Sequence, residues 1–420
     1  MDDPQVCEST TVCTNDLFNE SRVRAVGRNW SIGLLPWLFV LSFASCASSS
    51  TDEVEPPSVY SYEYQTPEAT GDGWATADLT DAGLDTGPFI ELMEDLHGLD
   101  DHLVHSVVVV RGGRLVFEEY FPGQKVSLAR YTGGVGFDRD DTHNLASVTK
   151  SITSTLVGLA FDRGYIDSLQ TPAFDFFPEY ETLVDDDPRR GSMTLEHLLL
   201  MTAGLAWNDE TVPYTEPHND LVRMFNSDDP IGFALSTDLF AAPGAEFEYC
   251  NANTNILGVV VERATGQRLE AFSASALFSP LGIGDFEWQV VSPEMFFASG
   301  DLRLRPRDMA KIGQLFLEQG MWGDERVLSA EWVQAATARI VIPDGPHSWG
   351  DGYGYGWWHL DLQGPGGIVP AYAASGWGGQ WIFVIPEYDV VFVTTGGAYW
   401  APIGLSAQQM LQAYVFRAIH

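Results

Sequence analysis

Positive charge is scarce in this 420-residue chain. Lysine and arginine together number 22 against 58 aspartates and glutamates, which gives a net charge of −36. Such a surface repels phosphate groups, so the composition argues against a nucleic-acid partner and against simple attraction to anionic lipid. A solvated acidic surface and an exported protein that faces high salt both account for this charge.

Cysteine is also scarce, and Cys7, Cys13 and Cys46 all lie in the first 46 residues. Cys250 is the one cysteine in the rest of the sequence, so no intramolecular disulfide can form after that region. Stability must therefore come from a large core, which a composition of 45% hydrophobic residues can build. Because no histidine lies beside it, Cys250 is expected to be an inert, packed thiol.

The apolar run at residues 32–43 is too short for a comfortable transmembrane helix and contains Pro36. Arginines precede this run, and small residues lead from it into Cys46. This order predicts a secretion leader over residues 1–46. It also resembles a bacterial lipobox, in which the cysteine is lipidated and anchors an exported protein to the membrane. Phe43 stands where that pattern prefers leucine, so plain signal cleavage is the alternative.

Residues 47–77 are rich in serine, threonine, proline and acid, which predicts a disordered acidic tether. The folded domain is expected over residues 78–420. Residues 105–121 read as a β-hairpin, and further strand patterns follow in the last third of the chain. Short helical patterns fill residues 171–288. Strands near both ends with helices between them predict an α/β fold, in which one sheet carries an inserted helical subdomain.

The sequence offers no cluster of metal-ligating residues and no phosphate-binding glycine loop. The glycines at residues 352–356 lack the following helix and lysine that phosphate binding needs, so they indicate a strand and turn. His197 has no second ligand-type residue on its helical face and is expected to be a packing or surface residue. We therefore predict neither a metal nor a cofactor.

One short stretch contains candidate catalytic residues. Ser147 and Lys150 lie three residues apart at the start of a predicted helix that ends at Gly164. The apolar residues of this stretch recur with helical period at Ile152, Leu156, Leu159 and Ala160. Ser147 and Lys150 therefore share one face at a helix N-terminus, where free N–H groups favour a developing anion. A serine becomes a good nucleophile only when an adjacent base takes its proton, and a desolvated lysine can be that base. A capping serine and an ordinary surface lysine are the alternative.

Two later motifs complete a pattern. Tyr249-Cys250-Asn251 follows Ser147 by about a hundred residues, and residues 376–380 read Gly-Trp-Gly-Gly-Gln before a late strand. In this order the three motifs resemble the serine β-lactamase superfamily, in particular its class C-related branch of β-lactamase-fold esterases, 6-aminohexanoate-dimer hydrolases and D-aminopeptidases. The resemblance implies a β-lactamase/transpeptidase-like fold, with an antiparallel sheet flanked by helices and an inserted all-helical subdomain.

The resemblance also implies residue roles. Ser147 matches the nucleophile that becomes acylated, and Lys150 matches its activating partner. Tyr249 matches the general base that passes a proton to the leaving group, a role that a phenol beside a protonated lysine can perform. Asn251 matches the amide that positions the lysine and the substrate carbonyl.

The third motif bears on the substrate. Penicillin-recognising relatives offer a cation here, whereas Trp377-Gly378-Gly379 supplies an apolar wall and one N–H donor. By resemblance, the N–H groups of Ser147 and Gln380 form the oxyanion hole. An arginine from residues 303–307 could replace the missing cation. Several late tryptophans are expected to line an apolar acyl pocket or to pack in the core: Trp349, Trp357, Trp358, Trp377 and Trp381.

These observations predict an exported serine hydrolase that cleaves small esters or amides through an acyl-enzyme on Ser147. The expected location is the periplasm or cell envelope, with a lipid anchor on Cys46. A penicillin-recognising D,D-peptidase or β-lactamase is an alternative prediction, as is a catalytically silent binding lipoprotein of the same fold.

Replacing Cys46 tests the predicted anchor. In a bacterial host, Cys46→Ser should move the protein from the detergent-soluble membrane fraction to the periplasm or medium, because the attachment site for the lipid is lost. Cell fractionation and immunoblotting measure the distribution. Equal membrane retention of the variant would show that the apolar run itself is the anchor.

Overall fold

The computed structural model describes residues 60–99, 101–127, 130–209, 211–343 and 350–420. The predicted leader, Cys46 and the first part of the predicted tether lie outside these residues. Within them, no helix is both long and apolar enough to cross a membrane.

The strands of the described residues, in chain order, are Ala75–Thr76 (β1), Val104–Arg111 (β2), Arg114–Tyr120 (β3), Pro122–Ser127 (β4), Arg130–Gly136 (β5), His143–Asn144 (β6), Val290–Ser292 (β7), Met295–Phe296 (β8), Arg303–Leu304 (β9), Met321–Trp322 (β10), Glu325–Arg326 (β11), Gly352–Tyr353 (β12), Trp358–Gly364 (β13), Gly367–Gly376 (β14), Gln380–Ile385 (β15) and Val390–Gly396 (β16). Eight of them form the main sheet in the order β1-β3-β2-β16-β15-β14-β13-β12. Only β1 is parallel to its neighbour, β3. The remaining strands form four two-stranded pairs.

The α-helices are Gly87–His97 (α1), Val148–Asp162 (α2), Glu181–Asp186 (α3), Leu195–Leu199 (α4), Asp220–Phe225 (α5), Pro230–Ser236 (α6), Asn251–Thr265 (α7), Leu269–Ser273 (α8), Pro306–Leu317 (α9), Ala330–Ala336 (α10), Ala407–Met410 (α11) and Phe416–Ala418 (α12). Short 3₁₀ turns lie at Thr80–Ala82, Ala173–Phe176, Pro178–Tyr180, Pro188–Ser192 and Pro386–Tyr388, and single π-helical turns at Ala274–Phe278 and Leu411–Val415. The sequence predicts the inserted subdomain at residues 171–288. All the elements named above in the described part of that range are helices or helical turns.

The sheet separates two apolar cores. Alternate side chains of a strand point to opposite faces, so Val108 and Val110 of β2 enter one core while Val107 and Val109 enter the other. The first core contains residues of α2, α7 and α9, and the second contains residues of α1 and the C-terminal helices. Because β2 is covered on both faces, it reads as a continuous valine run. Strand β2 pairs with β16, so N- and C-terminal segments complete one sheet. The predicted α/β fold, with an antiparallel sheet flanked by helices, is confirmed.

Residues 60–77, which the sequence predicts to lie in a disordered tether, are ordered in the structure. Its strand β1 pairs with β3, and the Tyr64 hydroxyl donates to the carbonyl of Val116 at 2.9 Å. The Arg307 guanidinium, 3% exposed, donates to Asp72 Oδ2 at 3.0 Å and to the carbonyl of Glu68 at 2.9 Å. A buried guanidinium requires such acceptors, and this acidic segment supplies them. The prediction of disorder is therefore wrong for residues 60–77.

Candidate active site

A strained turn presents Ser147 at the start of α2. Ala146, which precedes it, has a φ of 45°, a conformation that is uncommon for a residue with a side chain. Asn144 stabilises this turn, because its Oδ1 accepts the Ala146 N–H at 2.7 Å while its Nδ2 donates to Asp301 Oδ1 at 2.9 Å. Ser147 is half-buried and lines a cleft. The hydroxyl therefore lies at a helix N-terminus and is open to a ligand, as predicted from the sequence.

Lys150 lies one turn further along α2 and is 2% exposed. Its Nζ contacts Ser147 Oγ at 2.9 Å, Asn251 Oδ1 at 2.7 Å and the carbonyl oxygen of Ser299 at 2.9 Å. Asn251 Oδ1 and the Ser299 carbonyl can only accept hydrogen bonds. These two oxygens can therefore accept hydrogen bonds from two N–H groups of Lys150. The third tetrahedral position of Nζ then faces the Ser147 hydroxyl.

Tyr249 and Asn251 come from the start of α7, which packs against α2. The ring of Tyr249 is 8% exposed and its centroid lies 5.0 Å from Lys150 Nζ. Trp358 packs against this ring at a centroid distance of 5.6 Å. Cys250, which lies between Tyr249 and Asn251 in the sequence, is 1% exposed, and burial raises the pKa of its thiol above the ordinary value. The structure thus brings Ser147, Lys150, Tyr249 and Asn251 together, with Cys250 as a protonated packing residue.

Asp209 is a member of this group that the sequence did not reveal. It is 2% exposed, and its Oδ2 accepts hydrogen bonds from Asn251 Nδ2 at 2.6 Å and from Trp207 Nε1 at 2.6 Å. Burial raises the pKa of Asp209, while these two hydrogen bonds and the positive charge of Lys150 act in the opposite direction. An acid in a loop carries no distinctive signal in a chain with 58 acidic residues.

Gly376, which directly precedes the Trp377-Gly378-Gly379 motif, lies beside the Ser147 turn. A Cβ added to Gly376, the last residue of β14, would lie 2.4 Å from the Leu145 carbonyl oxygen and 3.1 Å from the Ser147 nitrogen. Gly376 is therefore the glycine that lets the strand approach the nucleophile. Gly378 and Gly379, with φ of 90° and 98°, instead form the turn into β15.

Gln380 does not reach the cleft. It is fully buried at the first position of β15, where its Nε2 donates to the Gly396 carbonyl at 2.8 Å and its Oε1 accepts the Gly396 N–H at 3.0 Å. Gln380 thus ties β15 to the end of β16, and it is absent from the cleft lining, to which residues 375–379 and Trp381 contribute. These contacts concern the side chain of Gln380, so the role of its backbone N–H in an oxyanion hole stays a prediction.

The cleft in front of Ser147 has a volume of about 800 Å³. Its aromatic and other large apolar lining residues are Tyr214, Tyr249, Trp358, Trp377, Trp381, Trp400 and Ile403. Among the described residues that line it, none is lysine, arginine or histidine, and Asp209 is the one acid. Trp377 is 38% exposed and packs against Trp400 with ring centroids 5.5 Å apart. The cleft is therefore an apolar, aromatic site without a cation at its wall.

The remaining predicted candidates lie elsewhere. Trp357 is fully buried in a core, and Trp349 lies outside the described residues. Arg303 and Arg305 form ion pairs with Glu287 and with Asp285 and Asp308, away from the cleft lining, and Arg307 holds the segment 60–77. No arginine of residues 303–307 therefore supplies the missing cation.

Comparison with known proteins agrees with this geometry. Residues 97–396 match the Beta-lactamase family, so the chain belongs to that family. It is 30% identical over 251 residues to a 6-aminohexanoate-dimer hydrolase of Paenarthrobacter ureafaciens, covering 57% of this chain and 58% of the relative. It is 31% identical over 201 residues to the esterase EstB of Burkholderia gladioli, covering 46% of this chain and 49% of the relative. The aligned regions thus span about half the length of these curated relatives.

A similar fold is found in a penicillin-binding protein homologue from Caulobacter crescentus. Its structure superimposes with a TM-score of 0.61 at 16% sequence identity and covers 79% of this chain and 97% of the other. At that identity the likeness concerns the fold alone. The resemblance inferred from the sequence motifs is confirmed at the level of the family.

Gly376→Ala tests the close approach of β14 to the nucleophile. The added methyl group would meet the Leu145 carbonyl oxygen at 2.4 Å, so the strand or the Ser147 turn must move. We expect kcat/KM for an activated ester to fall at least about tenfold, with an unfolding free energy lower by about 1–3 kcal/mol. Gly366→Ala is the matched control, since its Cβ meets nothing within 4 Å. Wild-type kinetics in Gly376→Ala would contradict the assignment.

Proposed function

We propose that this protein is a serine hydrolase that cleaves small esters or amides through an acyl-enzyme intermediate on Ser147. The observation that carries the proposal is the 2.9 Å contact between Ser147 Oγ and Lys150 Nζ, inside a cleft that is open to a ligand. Both relatives described above bear the names of hydrolases, one of a 6-aminohexanoate dimer and the other an esterase. A purely structural Ser147–Lys150 contact would not need such a cleft.

The first chemical step is the activation of Ser147. A neutral Lys150 can donate its two N–H bonds to Asn251 Oδ1 and the Ser299 carbonyl, and its lone pair then faces the Ser147 hydroxyl. As Lys150 takes the proton, Ser147 Oγ bonds to the substrate carbonyl carbon and the carbonyl oxygen becomes an anion. Tyr249, whose ring adjoins Lys150, relays the proton to the leaving group, and the bond to that group breaks.

The oxyanion requires two donors near Ser147. The N–H of Ser147 at the N-terminus of α2 is one, because it has no acceptor within its own helix. We propose the N–H of Trp377 as the second, in place of Gln380. It directly follows Gly376, the residue of β14 at which an added Cβ would lie 3.1 Å from the Ser147 nitrogen. Water then enters the cleft, attacks the acyl carbon and releases the acid and Ser147.

The lining of the cleft favours substrates without a carboxylate. A carboxylate that enters an apolar site loses its hydration, and the described lining offers no cation to compensate for that loss. Neutral acyl groups instead bury apolar surface against Trp377, Trp358 and Ile403. A cationic substrate is also compatible with an acidic protein. Export and the lipid anchor on Cys46 complete the proposal and depend on the leader sequence alone.

Ser147→Ala tests the nucleophile. We expect kcat for p-nitrophenyl butyrate to fall at least about a thousandfold, because the group that becomes acylated is lost. The unfolding free energy should change by less than about 1 kcal/mol, since little packing is removed. A fluorophosphonate probe should label wild type and the cleft variant Ser375→Ala but not Ser147→Ala. Substantial turnover by Ser147→Ala would remove Ser147 from this role.

The absence of a cation from the described cleft lining predicts that the enzyme prefers substrates without a carboxylate. Wild type should show a higher kcat/KM for p-nitrophenyl butyrate than for nitrocefin, which carries a carboxylate. Trp377→Lys should shift the ratio towards nitrocefin by about ten- to a hundredfold, the effect of a partly desolvated ion pair. Trp377→Phe is the matched control, because it keeps an apolar ring and adds no charge. Equal turnover of both substrates by wild type would instead favour a β-lactamase or penicillin-recognising peptidase.

A further inference from the structure

We propose that Asp209 is a positioning residue that orients Asn251 and supplies the counter-charge of Lys150. The inference rests on the proposed function, in which Lys150 activates Ser147. Asp209 lies beyond Asn251, so it acts on the nucleophile through two other side chains.

The hydrogen-bond chain permits only one orientation of the Asn251 amide. A charged Lys150 has only donors and so must face the amide oxygen, whereas an ionised Asp209 has only acceptors and must face the amide nitrogen. The distances agree, with 2.7 Å from Lys150 Nζ to Asn251 Oδ1 and 2.6 Å from Asn251 Nδ2 to Asp209 Oδ2. In the neutral form that activates Ser147, however, Lys150 has a lone pair that can accept a hydrogen bond, so without Asp209 the amide could turn over and present hydrogen atoms to it. Asp209 thus selects the orientation that activation of Ser147 requires.

Asp209 is held firmly although its burial is costly. Trp207 Nε1 donates to its Oδ2 at 2.6 Å, and the backbone N–H of Asn251 approaches the same oxygen at 3.4 Å. Its Oδ1 is buried and has no hydrogen-bond partner in the part of the chain that the structure describes. A buried carboxylate that is only partly satisfied costs stability, and such residues persist mainly where they serve a function. Because Oδ1 is closed to solvent, a role in binding a substrate cation fits the geometry less well.

The electrostatic partner of Asp209 is Lys150, across the Asn251 amide. The positive charge of Lys150 favours the ionised form of Asp209, and by reciprocity Asp209 favours the charged form of Lys150. Beside this chain of hydrogen bonds, the described residues also place Tyr214, on the loop of Asp209, and Tyr249 and Cys250, which directly precede α7. The negative charge of Glu248 acts on Cys250 as well. Cys250 stays protonated, and Asp209 is the carboxylate that contacts Asn251 directly, so Asp209 dominates the charge balance next to Lys150.

Asp209→Asn tests the inference, because it removes the charge but keeps an oxygen that can accept from Trp207 and Asn251. We expect kcat for p-nitrophenyl butyrate to fall at least about tenfold with KM within about twofold of wild type. The acid limb of the kcat/KM profile should move to lower pH by about one unit, since Lys150 loses a neighbouring negative charge. Asp209→Glu keeps the charge, and its acid limb should stay near that of wild type.

Asp220→Asn is the matched control. Asp220 is also buried, accepts the Asn208 N–H at 2.8 Å, and does not line the cleft. Its pH profile should match that of wild type. If Asp209→Asn does not fold, Trp207→Phe removes one donor to Asp209 and should still lower kcat and alter the acid limb.

Two outcomes would overturn the inference. One is a folded Asp209→Asn variant, or in its place Trp207→Phe, with wild-type kcat and acid limb. The other is a loss of rate with the acid limb unmoved, which would mean a structural role only. The activity of Ser147→Ala is measured in the same experiment, so that a failure of the proposed function can be distinguished from a failure of this inference. Activity that survives Ser147→Ala contradicts the proposed function, whereas activity that depends on Ser147 but not on Asp209 contradicts this inference alone.

Discussion

The geometry of the whole site depends on the burial of the Lys150 ammonium group. Lys150 is 2% exposed, and a charged amine at that depth is tolerated only with acceptors at hydrogen-bond distance. The acceptors come from three parts of the chain: Ser147 on its own helix, Asn251 on α7 and the carbonyl of Ser299. Ser299 is itself held by Asn255 of α7, whose Oδ1 accepts the Ser299 N–H at 3.1 Å. The packing of α2 against α7 is therefore inseparable from the chemistry of Ser147.

The sheet completes the site from the other side. Helix α2 is buried from Val148 to Ala160, and the hydroxyls of Ser151, Thr153 and Ser154 donate to backbone carbonyls of other segments, Ser151 to that of Gly356 at 2.6 Å. With the helix so fixed, the end of β14 can approach the nucleophile only where it has no side chain, at Gly376. The aromatic turn that follows then becomes a wall of the cleft. Under the proposed function, a cleft wall with no lysine, arginine or histidine among its described residues favours a neutral acyl group over a carboxylate.

Local patterns predicted the parts of the site that lie within one element. Ser147 and Lys150 are one helical turn apart, so the spacing alone placed them on one face, and the valine run predicted β2. Tyr249 and Asn251 were assigned through the resemblance, because no local rule brings two distant segments together. The oxyanion role of Gln380 also came from the resemblance and stays a prediction, because a sequence does not show where a strand ends and its turn begins. Asp209 and the ordered segment 60–77 depend on partners far along the chain, Asn251 and Arg307, so composition alone could not reveal them.

The proposed function requires a covalent acyl-enzyme on Ser147, and that species can be trapped. Wild-type protein mixed with excess p-nitrophenyl butyrate is quenched in acid within the first turnover and examined by intact-mass and peptide-mapping mass spectrometry. The account predicts a butyryl adduct on the peptide that contains Ser147, and its disappearance after longer incubation as the acyl group is hydrolysed. A butyryl group found only on another residue, or turnover without any adduct under conditions where deacylation is slowed, would contradict the account.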